Sequence, residues 1–417
     1  MKAVLFCIFL INTACGSLSS VSGKTGNVIF IHPDGMSLAH WDAVRLIHAG
    51  YEGKLNFDKF SNTAVYRGTI RQQITATSNA GATIHAFGIK TGADSFGMDK
   101  GKNIMSKSGE PYSILISAQK KGIKTALCQS GVLVEPGTAV FVSQVKSRKY
   151  KDEIAKQVIE SGVDLIFGGG EKYLLPKGVQ GHFGLGERKD QINLIERAKE
   201  MGYTVIYDLK NFEKVKSHSK ILGVFAHDDT YNDDDPIEVL KTKGFYQQSA
   251  PTIGEMTQMA LQFLKQKNQQ FLLIVEEEGT DNFSNRKNTE GFLTAGKRAD
   301  EAFGVAFDFL KKNQNTLLLT TSDSNAGGLV MKEVSSRKDP VFYTYPKTAY
   351  DFKKPSEDKA LPFSIQWGSG GPDSHGGIVV KAQGLNAHYV KGLLDNTGIY
   401  DLMYLTLFGR NVSPSEL

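Results

Sequence analysis

The chain has 417 residues, enough to bury a sizeable core as one elaborated α/β domain or as two ordinary ones. It is 40% hydrophobic and 22% charged, with a formal net charge of +5, a balance that suits a soluble globular protein and lacks the basic stripe of a nucleic-acid binder. Nucleic acid is therefore not an expected partner.

Residues 1–15 read as an export signal: a basic Lys2, an apolar run from Ala3 to Ile11, then Asn12-Thr13-Ala14-Cys15. The run is too short for a membrane span, and no later segment supplies about 20 uninterrupted apolar residues. Cys15 follows Ala14 and precedes a Gly/Ser-rich stretch. That pattern looks like a bacterial lipoprotein cleavage site, with a lipid anchor at Cys15 and a flexible tether over 16–26. Asn12 stands where such sites usually carry Leu, so plain cleavage stays open as the alternative. The expected location is the periplasm, the outer membrane as a lipoprotein, or the medium. Only Cys7, Cys15 and Cys128 exist, so no disulfide is expected within a lipidated mature chain. Cys128 reads as a small buried strand residue.

From residue 27 onward, short β-rich runs alternate with longer amphipathic ones, as a parallel sheet with crossover helices requires. Strands are predicted at Asn27 to Ile31, Thr125 to Gln129, Leu165 to Phe167, Thr204 to Tyr207, Ile221 to Phe225, Phe271 to Val275, Leu317 to Thr321 and Ile378 to Ala382. Helices are predicted at Ser113 to Lys121, Tyr150 to Ser161, Gln191 to Glu200, Thr252 to Lys265 and Thr294 to Lys312. Thr252 and Glu255 have the spacing of a capping box. Residues 332–362, rich in Lys, Asp, Pro and Tyr, break the periodicity and read as an excursion or cap on a catalytic domain spanning 27–417.

Three constellations invite a chemical reading. Asp34 follows an apolar strand and precedes Gly35, a common position for a metal ligand or nucleophile, although an Asp there can simply cap the next helix. Ser78 opens the small-residue run Ser78-Asn79-Ala80-Gly81-Ala82-Thr83, where a hydroxyl at a helix N-terminus can meet an anion or serve only as a cap. Glu276-Glu277-Glu278 with Asp281 follows an apolar strand, which argues against the solvated face that a Glu run usually marks. His32 could line the same cleft or pack behind it. His85 reads equally well as a substrate-facing or a core residue, and His227 with Asp228 and Asp229 could form a surface cation site.

These segments resemble the alkaline phosphatases. The likeness runs through Asn27 to Met36, Ser78 to Thr83, Gly88-Ile89-Lys90-Thr91-Gly92, Ser147-Arg148-Lys149-Tyr150, Asp164 to Gly170, Leu222 to Ala226, Pro251 to Thr257, Thr321-Ser322-Asp323 and His375-Gly376-Gly377. It implies a three-layer α/β sandwich with a large, mostly parallel central sheet. Position by position, the resemblance implies Ser78 as the phosphorylated nucleophile and Arg148 as the phosphate clamp. It makes Asp34 a carboxylate shared by two metals, Glu276 a magnesium ligand, Asp281 and His375 ligands of a first zinc, and Asp323 a ligand of a second. The sequence departs from the family at Asn285 and Ser324, where His is expected, at Gly137, where Thr is expected, and at Thr77, where Asp is usual. Glu135 falls where the family has Asp or His.

The resemblance thus implies Ser78, Arg148, Glu135, Glu276 and His375 as catalytic residues, and Asp34, Glu276, Asp281, Asp323 and His375 as metal ligands. Asn285 and Ser324 offer no borderline-soft nitrogen. A full two-zinc centre is therefore not expected, whereas a divalent cation (magnesium, calcium, manganese or zinc) held mainly by carboxylates is. The leading functional expectation is hydrolysis of a phosphate monoester or similar anionic ester. The alternatives are a glycoside hydrolase that uses paired carboxylates without a two-metal centre, and an inactive homologue that binds a small molecule or glycan. A homodimer is what the resemblance implies for assembly.

Overall fold

The apolar run Asn27–Pro33 forms β1, every residue of it buried, and it lies at the middle of a sheet that organises the whole chain. A computed structural model describes residues 23–50, 52–214, 220–233, 244–333, 363–368 and 373–412. The other sheet strands are β2 (Asn62–Arg67), β3 (Lys124–Val132), β4 (Leu165–Gly169), β5 (Tyr203–Ile206), β6 (Lys220–Val224), β7 (Phe271–Glu277), β8 (Thr316–Thr320), β9 (Val379–Gly384) and β10 (Gly392–Asp395). They form one 10-stranded sheet in the order β10-β2-β9-β8-β1-β7-β3-β4-β6-β5. All pairings are parallel except those of β9 with β8 and β2.

The principal helices are α1 (Leu38–His48), α2 (Ser78–Phe87), α3 (Ile114–Lys120), α4 (Lys151–Glu160), α5 (Leu194–Glu200), α6 (Ile253–Gln266), α7 (Gly279–Asn285), α8 (Thr289–Lys312) and α9 (Thr397–Phe408). Alternate residues of the central strands feed two cores. Val28, Phe30, Leu272 and Ile274 pack with Ala82 and Ala86 of α2, Leu115 of α3 and Leu402 of α9. Ile29, Ile31, Leu273 and Val275 pack with Val44 of α1, Leu264 of α6 and Phe303 of α8. That period-two division makes a three-layer sandwich, the architecture expected from the sequence. All eight predicted strands belong to the sheet; β2 and β10 are additional. Helix α8 starts at Thr289 rather than Thr294 because Asn288 caps it, its side chain accepting from Gly291 N. The capping box at α6 is present, with Thr252 Oγ1 3.1 Å from Glu255 N and Glu255 Oε2 2.7 Å from Thr252 N.

Residues 1–22, which include the expected signal, Cys15 and most of the tether, lie outside the described residues. Where the tether was expected to continue, Gly23 N donates to Gly409 O and Gly26 N to Thr406 O, so this stretch is fastened to the end of α9. Residues 334–362 of the expected excursion also lie outside the described residues. Its base is a short antiparallel ribbon of Val330–Glu333 with Phe363–Gln366. Cys128 is buried on β3, and burial pushes its thiol up. No helix among the described residues is long and apolar enough to cross a membrane.

Candidate active site

Parallel strands β1, β7, β3 and β8 deliver their carboxyl ends to one edge of the sheet, where open α/β sheets place ligands. Register aligns His32 of β1 with Glu276 of β7, and Glu276 with Gln129 of β3. The three side chains meet accordingly. His32 Nδ1 lies 3.4 Å from Glu276 Oε1, and Gln129 Nε2 donates to Glu276 Oε2. Glu277 points to the opposite face and accepts from Ser130 Oγ and Tyr246 Oη, each at 2.8 Å.

Asp34 follows β1 and is fully buried. Its Oδ1 accepts from Gly35 N at 3.0 Å, while no donor reaches Oδ2. Gly35 sits at φ +68°, and a Cβ there would lie 2.3 Å from Ala326 Cβ and 2.8 Å from Asp281 Oδ1, so glycine alone admits this approach. Asp323, beyond β8, has no donor on either oxygen. Ser78 is the first residue of α2 and is buried. One turn on, a Cβ at Gly81 would lie 2.7 Å from Asp323 Cβ, which places the start of α2 against that carboxylate. Glu135 Oε2 accepts from Arg148 Nη2 at 2.8 Å and Oε1 from Lys151 Nζ at 3.0 Å.

The electrostatics follow from crowding like charges in a buried space. Burial and the Asp34 charge push Asp323 well up. Burial and the Asp34 and Asp373 charges do the same to Asp281. Burial with Glu276, Glu135 and Asp34 raises Glu278. Glu276 is pushed up to about 7 by burial, despite its His32 hydrogen bond. Glu135 goes the other way, because Lys151 and Arg148 outweigh its burial. Asp34, Glu135, Glu276, Asp281 and Asp323 therefore share one electrostatic site, with Arg148 facing several of them. His375 differs from its neighbours: it is exposed, and its Nδ1 lies 2.9 Å from Ile74 O. It borders the small hollow lined by Asp323 and Ser324 but belongs to neither tight group of metal-competent atoms found among the described residues. A larger hollow of about 450 Å³ lies at the other end of the strands, by Asn27, Phe271 and Asn315, away from every one of these carboxylates.

Asp34 Oδ2, Asp323 Oδ1 and Oδ2, Glu278 Oε2 and His32 Nε2 are all buried and reached by no donor. Buried oxygens in that condition require either protons or a cation. Two groups place their ligand atoms within 4.8 Å of one another: His32, Asp34 and Asp323, and Asp34, Glu276 and Glu278. The donor set fits a divalent cation.

The sequence pattern of the family described as alkaline phosphatase matches residues 25–359. The chain belongs to the alkaline phosphatase family. It is 28% identical to alkaline phosphatase 3 of Bacillus subtilis over 347 residues, covering 78% of this chain and 68% of that protein. It is 28% identical to the repressible alkaline phosphatase of Saccharomyces cerevisiae over 357 residues, covering 79% of this chain and 60% of the relative. The fold is similar to that of alkaline phosphatase from the Antarctic bacterium TAB5, with a TM-score of 0.73 at 22% identity, covering 94% of this chain and all of that one. The Thermus thermophilus alkaline phosphatase gives a TM-score of 0.73 at 19% identity, covering 98% of each chain.

Alkaline phosphatases work with divalent metals, and the departures of this chain from them have structural consequences. Asn285 Nδ2 donates to Asp281 Oδ2 at 2.8 Å and approaches Asp373 Oδ1 at 3.4 Å, while its Oδ1 accepts from Gly327 N. The Ser324 Oγ is buried with no hydrogen-bond partner, and burial and the Asp34 charge push the Asp373 carboxyl up to about 6. Thr77 caps α2 through Ala80 N and donates to Ala93 O at 2.7 Å. Gly137 leaves room for Glu276: a Cβ there would lie 1.7 Å from Glu276 Oε1. Reading the sequence gave no role to Glu278, Asp373 or Gln129. Asp373 lies two residues before His375, and Gln129 stands opposite Glu276 in the sheet, a pairing visible only once β3 and β7 are known to be neighbours.

Proposed function

We propose that this chain is a cation-dependent, phosphomonoesterase-like hydrolase in which Ser78 is the nucleophile. The observation that carries the reading is the pair Asp34 and Asp323, buried and reached by no donor on three of their four oxygens, with Asp323 packed against the start of the helix that Ser78 opens. In this reading Asp34 and Asp323 hold the cation, with Asp281 and Glu278 close by. When bound, the cation supplies charge neutralisation at the developing alkoxide and phosphoryl oxygens.

Ser78 Oγ gives up its proton to solvent and forms the bond to phosphorus as the ester oxygen departs and takes a proton from solvent; water then hydrolyses the phosphoserine, its hydroxide going to phosphorus and its proton restoring the serine hydroxyl. Backbone N–H groups at the start of α2 favour the anionic substrate. Arg148 keeps one edge on Glu135 and turns its remaining N–H groups to the phosphoryl oxygens, as a planar fork can. Glu135 and Lys151 hold that fork in place. We further read the chain as exported, which fractionation of expressing cells would test by finding it in the cytosol or outside it.

The assay is hydrolysis of an aryl phosphate by chelator-stripped protein with divalent cations restored, alongside a panel of aryl glycosides. The expected result is phosphatase activity that needs the cation and disappears in Ser78→Ala. Chelator-resistant glycosidase activity that survives Ser78→Ala would replace this reading with the carboxylate-pair hydrolase, to which the raised carboxyls would then belong.

A further inference from the structure

The family resemblance gives position 32 no metal-binding role, and the His it implies at position 324 is absent. Two facts about His32 compensate. Its ring is buried at 1% exposure, and its Nε2 has no hydrogen-bond partner while lying 3.8 Å from Asp34 Oδ1. A nitrogen of the same ring forms, with Asp34 and Asp323, a group whose ligand atoms all lie within 4.8 Å of one another, and Nε2 is the one free of a partner. We propose that His32 Nε2 is the imidazole ligand of a divalent cation shared with Asp34 and Asp323, and that Glu276 is the residue positioning that ring.

The ring is held for such a role. An imidazole that binds a cation through one nitrogen ordinarily donates its other N–H to a carboxylate, which fixes the tautomer and the ring plane. Glu276 Oε1 lies 3.4 Å from His32 Nδ1. Glu276 is committed there: Gln129 donates to its other oxygen, and its side chain fills the volume that a Cβ at Gly137 would need. Phe30 and His85 flank the ring at centroid distances of 6.0 and 5.7 Å, and the His85 Nε2 is occupied by Tyr66 Oη at 2.8 Å. Ser324, meanwhile, offers a hydroxyl and no nitrogen. A nitrogen donor lost from the end of β8 is thus restored from the end of β1, and the carboxylate expected to bind a metal directly becomes its support. The competing group, Asp34 with Glu276 and Glu278, contains no nitrogen, which makes the two arrangements distinguishable.

The inference rests on the cation-dependent reading above, but its test reads binding and not turnover. Full-length protein carrying His375→Asn, so that the exposed imidazole contributes nothing, is stripped with chelator and titrated with Zn²⁺ by calorimetry. It is also loaded with one equivalent of Cu²⁺ for pulsed electron paramagnetic resonance. The expected result is a directly coordinated imidazole nitrogen that vanishes in His32→Asn, together with weaker Zn²⁺ binding in that variant. Glu276→Gln should keep the nitrogen signal and lose affinity by about 10- to 100-fold, the usual effect of removing such a supporting group. Should His32→Asn not fold, the signal read in His85→Phe still decides, since it must persist there. A bound cation without nitrogen coupling, or coupling that survives in folded His32→Asn, overturns the proposal. Hydrolysis that fails while His32-dependent coupling persists would sink the phosphatase reading alone.

Discussion

Stripped of cations, the protein should lose stability as pH rises through neutrality, the reverse of what paired carboxylates usually give. Glu276 moves from its ordinary 4.5 to about 7 on folding because burial disfavours its charge. The native state then holds a proton that the unfolded chain releases first, so this group's contribution is complete below about pH 4.5 and is lost as pH climbs to about 7. At 1.36 kcal/mol per tenfold change in proton affinity, Glu276 alone accounts for roughly 3 kcal/mol. Asp281, Glu278 and Asp323 are raised too, and His32, pushed up by its Glu276 bond and the Asp34 charge against its burial, acts in the same direction. Carboxyls held below their ordinary range, such as Glu135 and Asp395, are fully ionised in both states by about pH 5 and add no slope above it, while His40 and His85, lowered by burial, oppose the trend up to about pH 6.5 but are outnumbered by the four raised carboxyls. The assay is urea unfolding of chelator-treated protein between about pH 5 and about pH 7.5, with tertiary signal followed. Saturating divalent cation should flatten or invert the slope, since it competes with protons for the same oxygens. A midpoint that stays constant or rises across that window in the chelated protein would refute the account of a shared, buried carboxylate site.

Gly137→Thr should cost about 3 kcal/mol in the stripped protein, because its Cβ lands 1.7 Å from Glu276 Oε1 and must displace a side chain bonded to His32 and Gln129. Unchanged urea midpoints would show that Glu276 moves freely. Thr77→Ala should lose about 1 kcal/mol of stability through the α2 cap, with Thr77→Ser and Thr77→Asp largely retaining it. An alanine variant as stable as its parent would mean that the cap is idle. Tyr246→Phe removes a donor from the buried Glu277, which keeps Ser130 Oγ and Gly279 N, and should cost about 2 kcal/mol by thermal or urea unfolding. A stabilised variant would place the tyrosine bond outside the network that holds Glu277.

Much of this was legible in the sequence, for physical reasons that differ by element. Strands β1 and β7 announce themselves because strands buried on both faces are continuous apolar runs. Their carboxyl ends carry Asp34 and Glu276 to the cleft for the same reason, and the run of three Glu proves to be buried at every position. Strand β2 was missed because its alternating, half-exposed pattern is short, and β10 because only Leu394 of its residues is buried. Helix α9 is buried on nearly all sides, so no amphipathic period marks it. Within the site, the resemblance speaks only to residues that sit in matching motifs. It could not weigh His32, because the significance of that ring depends on register between strands distant in sequence.

The one strand that runs against its neighbours, β9, has a topological consequence. Because β8 ends and β9 begins on the same edge of the sheet, the chain leaves the platform at Thr321 and rejoins it after Ile378 on the side of the cleft. Asp323, Ser324, Asp373 and His375 all lie between those two points, so they can vary together without any strand of the sheet changing its neighbours. Exchange of that single stretch between relatives could alter what the cleft accepts while the ten-stranded platform keeps its connectivity.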